Sequence, residues 1–278
     1  MIGRVSPPWS IALGLIVASG CASARHYVRG YPTPTSDELL AALRSRHENL
    51  RGINAEARVT SWLGGERVRG TVQILATRQG QLRFEAEVAL QGTVAALAVS
   101  DGQFTFIDHQ KHLFRKGPAC PANVAELVRI PLAPTAVAAI LLGDAPLPPG
   151  ARATGVEWDQ ARGTDVLVLA DPSGGTFWLG LRRPAPAVAY WDVVYLEGAS
   201  SGSRDRWRVS YDDLDRVGAI AMPRLVRFAE PGKSFDDGVE IRFKDRATNP
   251  TFAANAFTLQ PPPGYSVELA TCAPNLVR

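Results

Sequence analysis

From Ile53 onward, apolar and polar residues alternate one for one. Ile53, Ala55, Ala57 and Val59 are separated by Asn54, Glu56, Arg58 and Thr60, and the same period returns in Val68–Ile74 and Leu82–Val88. Successive side chains on a strand point to opposite faces, so this period builds strands with one dry and one wet face. Gly64-Gly65 and Gln79-Gly80 fall between the runs, where hairpins turn. The pattern is that of an antiparallel meander. Thr93–Val99 is apolar on both faces and needs a cover. Gln103–Asp108 and Lys111–Arg115 add a hairpin after Asp101-Gly102. Strand-like runs resume at 152–158, 164–170, 175–182, 188–197, 203–211, 222–230 and 237–245, with Asp212–Ala221 read as a turn-rich loop.

Two stretches break the period. Thr35-Ser36-Asp37-Glu38 has the form of a capping box, and Leu39, Leu40 and Leu43 give the helix it opens an apolar stripe. Arg44, Arg46, His47 and Glu48 form its polar face. Residues 121–143 also have helical spacing, in two segments split by Pro131 and Pro134. Leu127 and Val128 mark the first; Val137, Ile140, Leu141 and Leu142 mark the second. An apolar helical insert in a strand series covers the concave face of a curved sheet, either as a permanently docked plug or as a lid. The predicted fold is mainly β (α+β): a strongly curved antiparallel sheet, or incomplete barrel, of roughly a dozen strands, with an N-terminal helix and the apolar insert.

The N-terminus sets the compartment. Arg4 gives a short basic start, Ile11–Val17 an apolar run, and Ala18-Ser19-Gly20 a small-residue stretch before Cys21. The run is too short to span a bilayer, and this order of segments predicts a secretory signal over residues 1–20. A Cys at the cut resembles the lipobox of bacterial lipoproteins. That resemblance implies that Cys21 becomes the first mature residue, carrying diacylglycerol and an amide-linked acyl chain, and stable anchoring takes more than one chain. Ala22 follows Cys21, not the Asp that retains some lipoproteins in the inner membrane. The expected place is therefore the outer membrane, lipid-anchored and facing the periplasm. Residues 21–34, polar and aperiodic, read as a lipidated tether ahead of a single β domain over 35–278. Cys120 and Cys272 remain once Cys21 is lipidated. An even pair in an exported chain predicts a disulfide, with two buried free thiols as the alternative.

The catalytic patterns are weak. Gly198-Ala199-Ser200-Ser201-Gly202 matches G-x-S-x-G, but a nucleophile elbow needs a helix after the Ser, and Ser203–Tyr211 reads as a strand. His109 and His112 flank a polar turn beside Asp108, with no third or fourth ligand near in sequence. Asp212, Asp213 and Asp215 lack the spacing of a calcium loop. No catalytic residue, metal site or cofactor is predicted. The 30 Lys and Arg are scattered against 27 Asp and Glu, so nucleic acid is not an expected partner.

In order along the chain come an N-terminal helix, Ala55–Trp62, Gly70–Ala76 and Leu82-Arg83-Phe84. Then follow Ser100-Asp101-Gly102-Gln103-Phe104, Ile130-Pro131-Leu132 and Ile140-Leu141-Leu142-Gly143. Met222-Pro223-Arg224-Leu225 and Phe257-Thr258-Leu259-Gln260-Pro261-Pro262-Pro263-Gly264-Tyr265 complete the series. In this order, over residues 36–268, the chain resembles the LolA/LolB-like superfamily of periplasmic lipoprotein carriers and outer-membrane lipoprotein receptors. LolB-like receptors carry an exposed leucine on a loop between two early strands, used in delivering lipoproteins to the membrane. The resemblance places that role on Leu90, in Ala89-Leu90-Gln91-Gly92, with Ala89 where the family has Pro. This chain also runs longer than the receptors, so a paralogous lipoprotein of the same fold is an equal reading. The resemblance implies a non-enzymatic protein that binds lipid, or the acyl chains of lipoproteins, in an apolar cavity, with a periplasmic carrier protein as a further partner. The alternatives are a scaffold lipoprotein whose cavity is filled by its own helices and, more distantly, an envelope hydrolase.

Overall fold

The computed structural model describes residues 26–63, 66–88, 92–188, 190–218 and 220–272. Helix α1 (Ser36–Asn49) precedes β1 (Gly52–Leu63), β2 (Glu66–Thr77), β3 (Leu82–Val88), β4 (Gly92–Ser100), β5 (Gln103–Asp108) and β6 (Leu113–Pro118). Helices α2 (Pro121–Val128) and α3 (Pro134–Leu141) form the insert. Strands β7 (Arg152–Asp159), β8 (Thr164–Ala170), β9 (Thr176–Arg182) and β10 (Asp192–Ala199) come next. They are followed by β11 (Trp207–Val217), β12 (Ile220–Ala229), β13 (Val239–Thr248) and β14 (Ser266–Leu269).

The fourteen strands make one curved, unclosed sheet in the order β14-β6-β5-β4-β3-β2-β1-β13-β12-β11-β10-β9-β8-β7. Sequential hairpins build each half, and β1 pairs with β13 to join them in the middle. Only β14 on β6 is parallel. The dry faces of both halves meet the helices in a single core. Ile74, Phe84, Leu97 and Phe104 from one half, and Leu167, Leu179, Val226 and Ile241 from the other, share it with Leu39 and Leu43 of α1.

The capping box forms as its residues require: Glu38 N–H donates to Thr35 Oγ1 at 3.2 Å, and Thr35 N–H donates to Glu38 Oε2 at 2.7 Å. Pro134 opens α3 at a position where a missing N–H costs nothing. Val137, Ile140, Leu141 and Leu142 have no accessible surface. At about 1.5–3 kcal/mol per buried aliphatic side chain, they hold α3 to the sheet by on the order of 8 kcal/mol. The start of α3 rests on the β2–β3 turn, where Gly80 has φ +86° and a Cβ would lie 2.9 Å from Thr135 Cγ2. No other residue fits that contact.

Three expectations change. Asp212–Ala221 is not a loop: β11 continues to Val217 and β12 starts at Ile220, with Asp212 opposite Leu225 and Asp215 opposite Met222. The density of charge hides the strand, because these carboxylates are half-exposed and paired across the hairpin: Arg227 meets Asp212 at 3.2 Å and Arg224 meets Asp215 at 3.3 Å. The polar face assigned to α1 is also not all in water. Arg46 is buried and His47 is only 26% exposed. Residues 27–34, expected as part of a tether, lie on the sheet: Arg29 meets the fully buried Asp165 at 2.6 Å, and Tyr31 donates its hydroxyl to the same carboxylate at 2.8 Å.

What draws Arg46 and His47 inward is Asp144, in the turn that leaves α3. Its carboxylate has no accessible surface and lies 3.7 Å from Arg46 Nε, 3.2 Å from His47 Nε2 and 2.8 Å from Arg78 Nη2. Arg46 Nη2 also donates to the carbonyls of Leu142 and Gly143, both at 3.0 Å, which caps the helix with a cation. Tyr211, from β11 across the sheet, donates to Asp144 O at 2.8 Å. Burial alone would push the Asp144 carboxyl up. The hydrogen bond from His47 and the charges of Arg46, His47 and Arg78 outweigh it and hold the carboxyl below its ordinary value.

The insert has a covalent tie as well. Cys120, the residue before α2, is bonded to Cys272, with Cα atoms 6.0 Å apart and 152 residues between them in sequence. Replacing both by Ser is expected to lower stability by about 2–5 kcal/mol. Amide exchange should quicken first in β14 and β6, which exchange mass spectrometry reads strand by strand. Asp144→Asn is expected to cost about 3–5 kcal/mol at pH 7, because it leaves two guanidiniums with no carboxylate. A depressed folded value means that the contribution of Asp144 is present above about pH 4 and fades as the pH falls through the folded value. Urea midpoints of wild type and variant should therefore differ at pH 7 and converge only as the pH falls below the folded value, under the ordinary carboxylate range.

Candidate functional site

The insert leaves one broad cleft open beside it. The side of α3 turned away from the core presents Thr135, Ala136 and Ala139, preceded by Leu132 and Ala133. Across from them stand Phe177 of β9 and Trp207 of β11, and the Pro146–Pro149 segment forms the rim. The cleft holds about 460 Å³, in the range of a pocket for one small ligand. Phe177 and Trp207 meet edge to face, ring centroids 6.0 Å apart. Trp207 lies flat enough on the sheet that a Cβ at Gly198 would be 2.3 Å from its ring. The first glycine of the G-x-S-x-G pattern thus makes room for an aromatic wall. The residues after Gly198 turn directly into β11, with no helix among them.

One end of the cleft is polar. His47 and Arg78 line it, and the buried Asp144 stands behind them. Arg78 Nε donates to Leu50 O at 2.8 Å, and its Nη2 faces Asp144. Burial lowers the pKa of Arg46 despite the neighbouring Asp144, and it raises that of the Tyr211 hydroxyl well above the ordinary value. Asp192, which Arg46 also feels, is paired to Arg216 at 2.5 Å. No Asp or Glu lines the cleft itself among the described residues. The arrangement can bind an extended apolar group with one charged or polar end. It offers no nucleophile–base pair.

Of the insert residues singled out by sequence, Val128, Val137, Ile140, Leu141 and Leu142 are in the core, and Leu127 packs against it half-buried. The cleft belongs to their neighbours on the other side of the same segment. Cys21 and Leu90 lie outside the described residues. Val88, which precedes the Leu90 loop, is 42% exposed, and Val68, at the same end of the adjacent strand, is 46% exposed. His109 Nδ1 and Tyr265 Oη are 2.8 Å apart, and both His109 and His112 pack edge-on against the Tyr265 ring. Sequence reasoning missed Arg46, Arg78 and Asp144. One signal was present: Asp144 is the single charged residue between Arg129 and Arg152.

No protein-family model and no curated protein matches the sequence. Solved structures do share its architecture. A LolA superfamily protein from Nitrosomonas europaea, 10% identical, superposes with a TM-score of 0.57 over 82% of this chain and 99% of its own. A DUF1329 family protein from Desulfovibrio piger, 11% identical, gives 0.55 over 82% of this chain and 98% of its own. A protein domain from Vibrio parahaemolyticus described as outer-membrane lipoprotein-sorting, 9% identical, gives 0.50 over 80% of this chain and 95% of its own. At such identities the likeness is one of fold. The curved, unclosed sheet with its α1 cover and helical insert has the fold seen in these LolA-like structures.

Proposed function

We propose that this chain is a lipoprotein of the outer membrane, anchored through Cys21 and facing the periplasm, that binds lipid or the acyl chains of lipoproteins without chemistry of its own. The observation that carries this reading is the apolar cleft between α3 and the aromatic pair Phe177 and Trp207. At about 0.8 kcal/mol per buried methylene, a long acyl chain laid in it would be bound by several kcal/mol while part of the chain stays in reach of water. Partial burial suits a protein that must also release. The V. parahaemolyticus domain of the same fold is described as outer-membrane lipoprotein-sorting, which supports this reading.

Within this reading the insert divides into two roles. α3 is a plug, since lifting it would expose four large aliphatic side chains, a cost comparable to the whole stability of a domain. Ligand enters alongside it, and the Pro146–Pro149 rim is the part that gives way. Val88 and Val68, exposed at one end of the sheet, are the apolar tip for contact with the bilayer when acyl chains are handed over, the role the resemblance gives to Leu90. A periplasmic carrier protein is the partner such a hand-over needs. No helix among the described residues is long and apolar enough to cross a membrane, so the anchor in this reading is the lipid on Cys21.

The filled concave face supports a second reading, a scaffold lipoprotein with no ligand. One preparation separates the two. The exported chain carrying Cys21→Ala, examined by native mass spectrometry and lipid extraction, is expected to hold acyl lipid that an apolar dye displaces. Ala136→Trp, which fills the cleft from the solvent side of α3, should abolish dye uptake while leaving the circular dichroism spectrum unchanged. A bare mass with no dye uptake by the unblocked protein would leave the scaffold reading standing. Incorporation of labelled palmitate, lost in Cys21→Ala, tests the anchor independently.

A further inference from the structure

The polar end of the cleft carries more positive charge than its own carboxylates balance. Of the residues that line the cleft, only Arg78 and His47 carry or can carry charge, and both are basic; the one carboxylate behind them, Asp144, is shared with Arg46. Asp144 is fully buried behind this end, and Asp192 is taken by Arg216. Arg78 is held from behind by Leu50 O and Asp144, and its Nη1 has no acceptor among the described residues. It is 18% exposed, and the surface it shows lines the cleft. His47 Nε2 is buried 3.2 Å from Asp144, which holds its ring at the edge of the cleft.

A guanidinium fixed in this way, at the mouth of an apolar slot and largely out of water, is a receptor for an anion. We infer that the ligand of the cleft is an anionic single-chain amphiphile. Its carboxylate or phosphate sits on Arg78 beside His47, and its chain runs along Ala136 and Ala139 towards Phe177 and Trp207. The volume agrees, since about 460 Å³ takes one acyl chain and not the several chains of a lipidated cysteine. The thioether and amide of a lipidated cysteine also bring no anion to pair with Arg78. This inference rests on the proposed binding of acyl chains and narrows it to one chemical class.

The test changes the ligand before it changes the protein. With the exported Cys21→Ala chain at pH 8, Trp fluorescence titrations compare oleate with oleyl alcohol, and oleoyl lysophosphatidate with monoolein. Each anion is expected to bind at least about 10-fold tighter than its neutral partner, the ratio a charge-assisted hydrogen bond supplies. Preference for oleate alone or for lysophosphatidate alone also supports the inference, and names carboxylate or phosphate as the group recognised. Arg78→Gln should erase the preference while keeping affinity for the neutral partners, and Arg78→Lys should retain part of it. Equal affinity of the unaltered chain for anion and neutral partner overturns the inference and leaves acyl binding intact. Binding of none of the four, with uptake of a triacylated lipopeptide, overturns the inference and keeps the broader function. Binding of none of the five removes both.

Discussion

One buried carboxylate decides how the parts of this molecule fit. Asp144 has no accessible surface, and an ionised group in that position is tolerated only if it is paired. The pairing recruits α1 through Arg46 and His47, the end of β2 through Arg78, and β11 through the Tyr211 hydroxyl on its backbone carbonyl. Three segments distant in sequence are thereby brought to the C-terminal end of one short helix. Hydrophobic burial holds α3 against the sheet with more energy, but it has little direction. The charges fix where along the sheet the helix stops, and so where the cleft beside it opens.

The sheet and its plug limit each other. Fourteen strands left open along one side would expose a wide apolar trough. The insert fills its centre with fully buried aliphatic side chains, and a cleft of about 460 Å³ stays open along the flank. Alanine dominates the helix face that borders it, so the backbone of α3 is itself close to the wall. A larger residue there would close the cleft without touching the core. Small residues on one side of the helix face the cleft, and large ones on the other pack the core.

Much of this was legible beforehand, and what was not has a physical reason. The two-residue alternation, the capping box and the Pro-split insert specify local structure, and the strands, α1 and the insert follow them closely. The pairing of Cys120 with Cys272 was equally readable from their number. The Asp212–Ala221 stretch was misread because a dense run of charge on an exposed hairpin looks like charge in a loop. β14 escaped notice because a four-residue exposed edge strand has no period to show. The site was the least legible part. Arg46, Arg78 and Asp144 converge only after the sheet forms, and local periodicity carries nothing about that convergence. The lone charge of Asp144 amid an apolar run was the one trace of it in the sequence.

The docking of residues 27–34 changes how far such a domain can travel. Were the chain free from Cys21 to Thr35, a lipid anchor at Cys21 would sit on a leash of about 46–50 Å when fully extended. With Arg29 and Tyr31 clasped on Asp165, the span from Cys21 to Tyr27 is about 20–22 Å at full extension. Under the proposed lipid anchoring, a domain held this closely could not sweep the periplasm for cargo. It would work at the bilayer surface, and whatever fills or empties its cleft would have to arrive there.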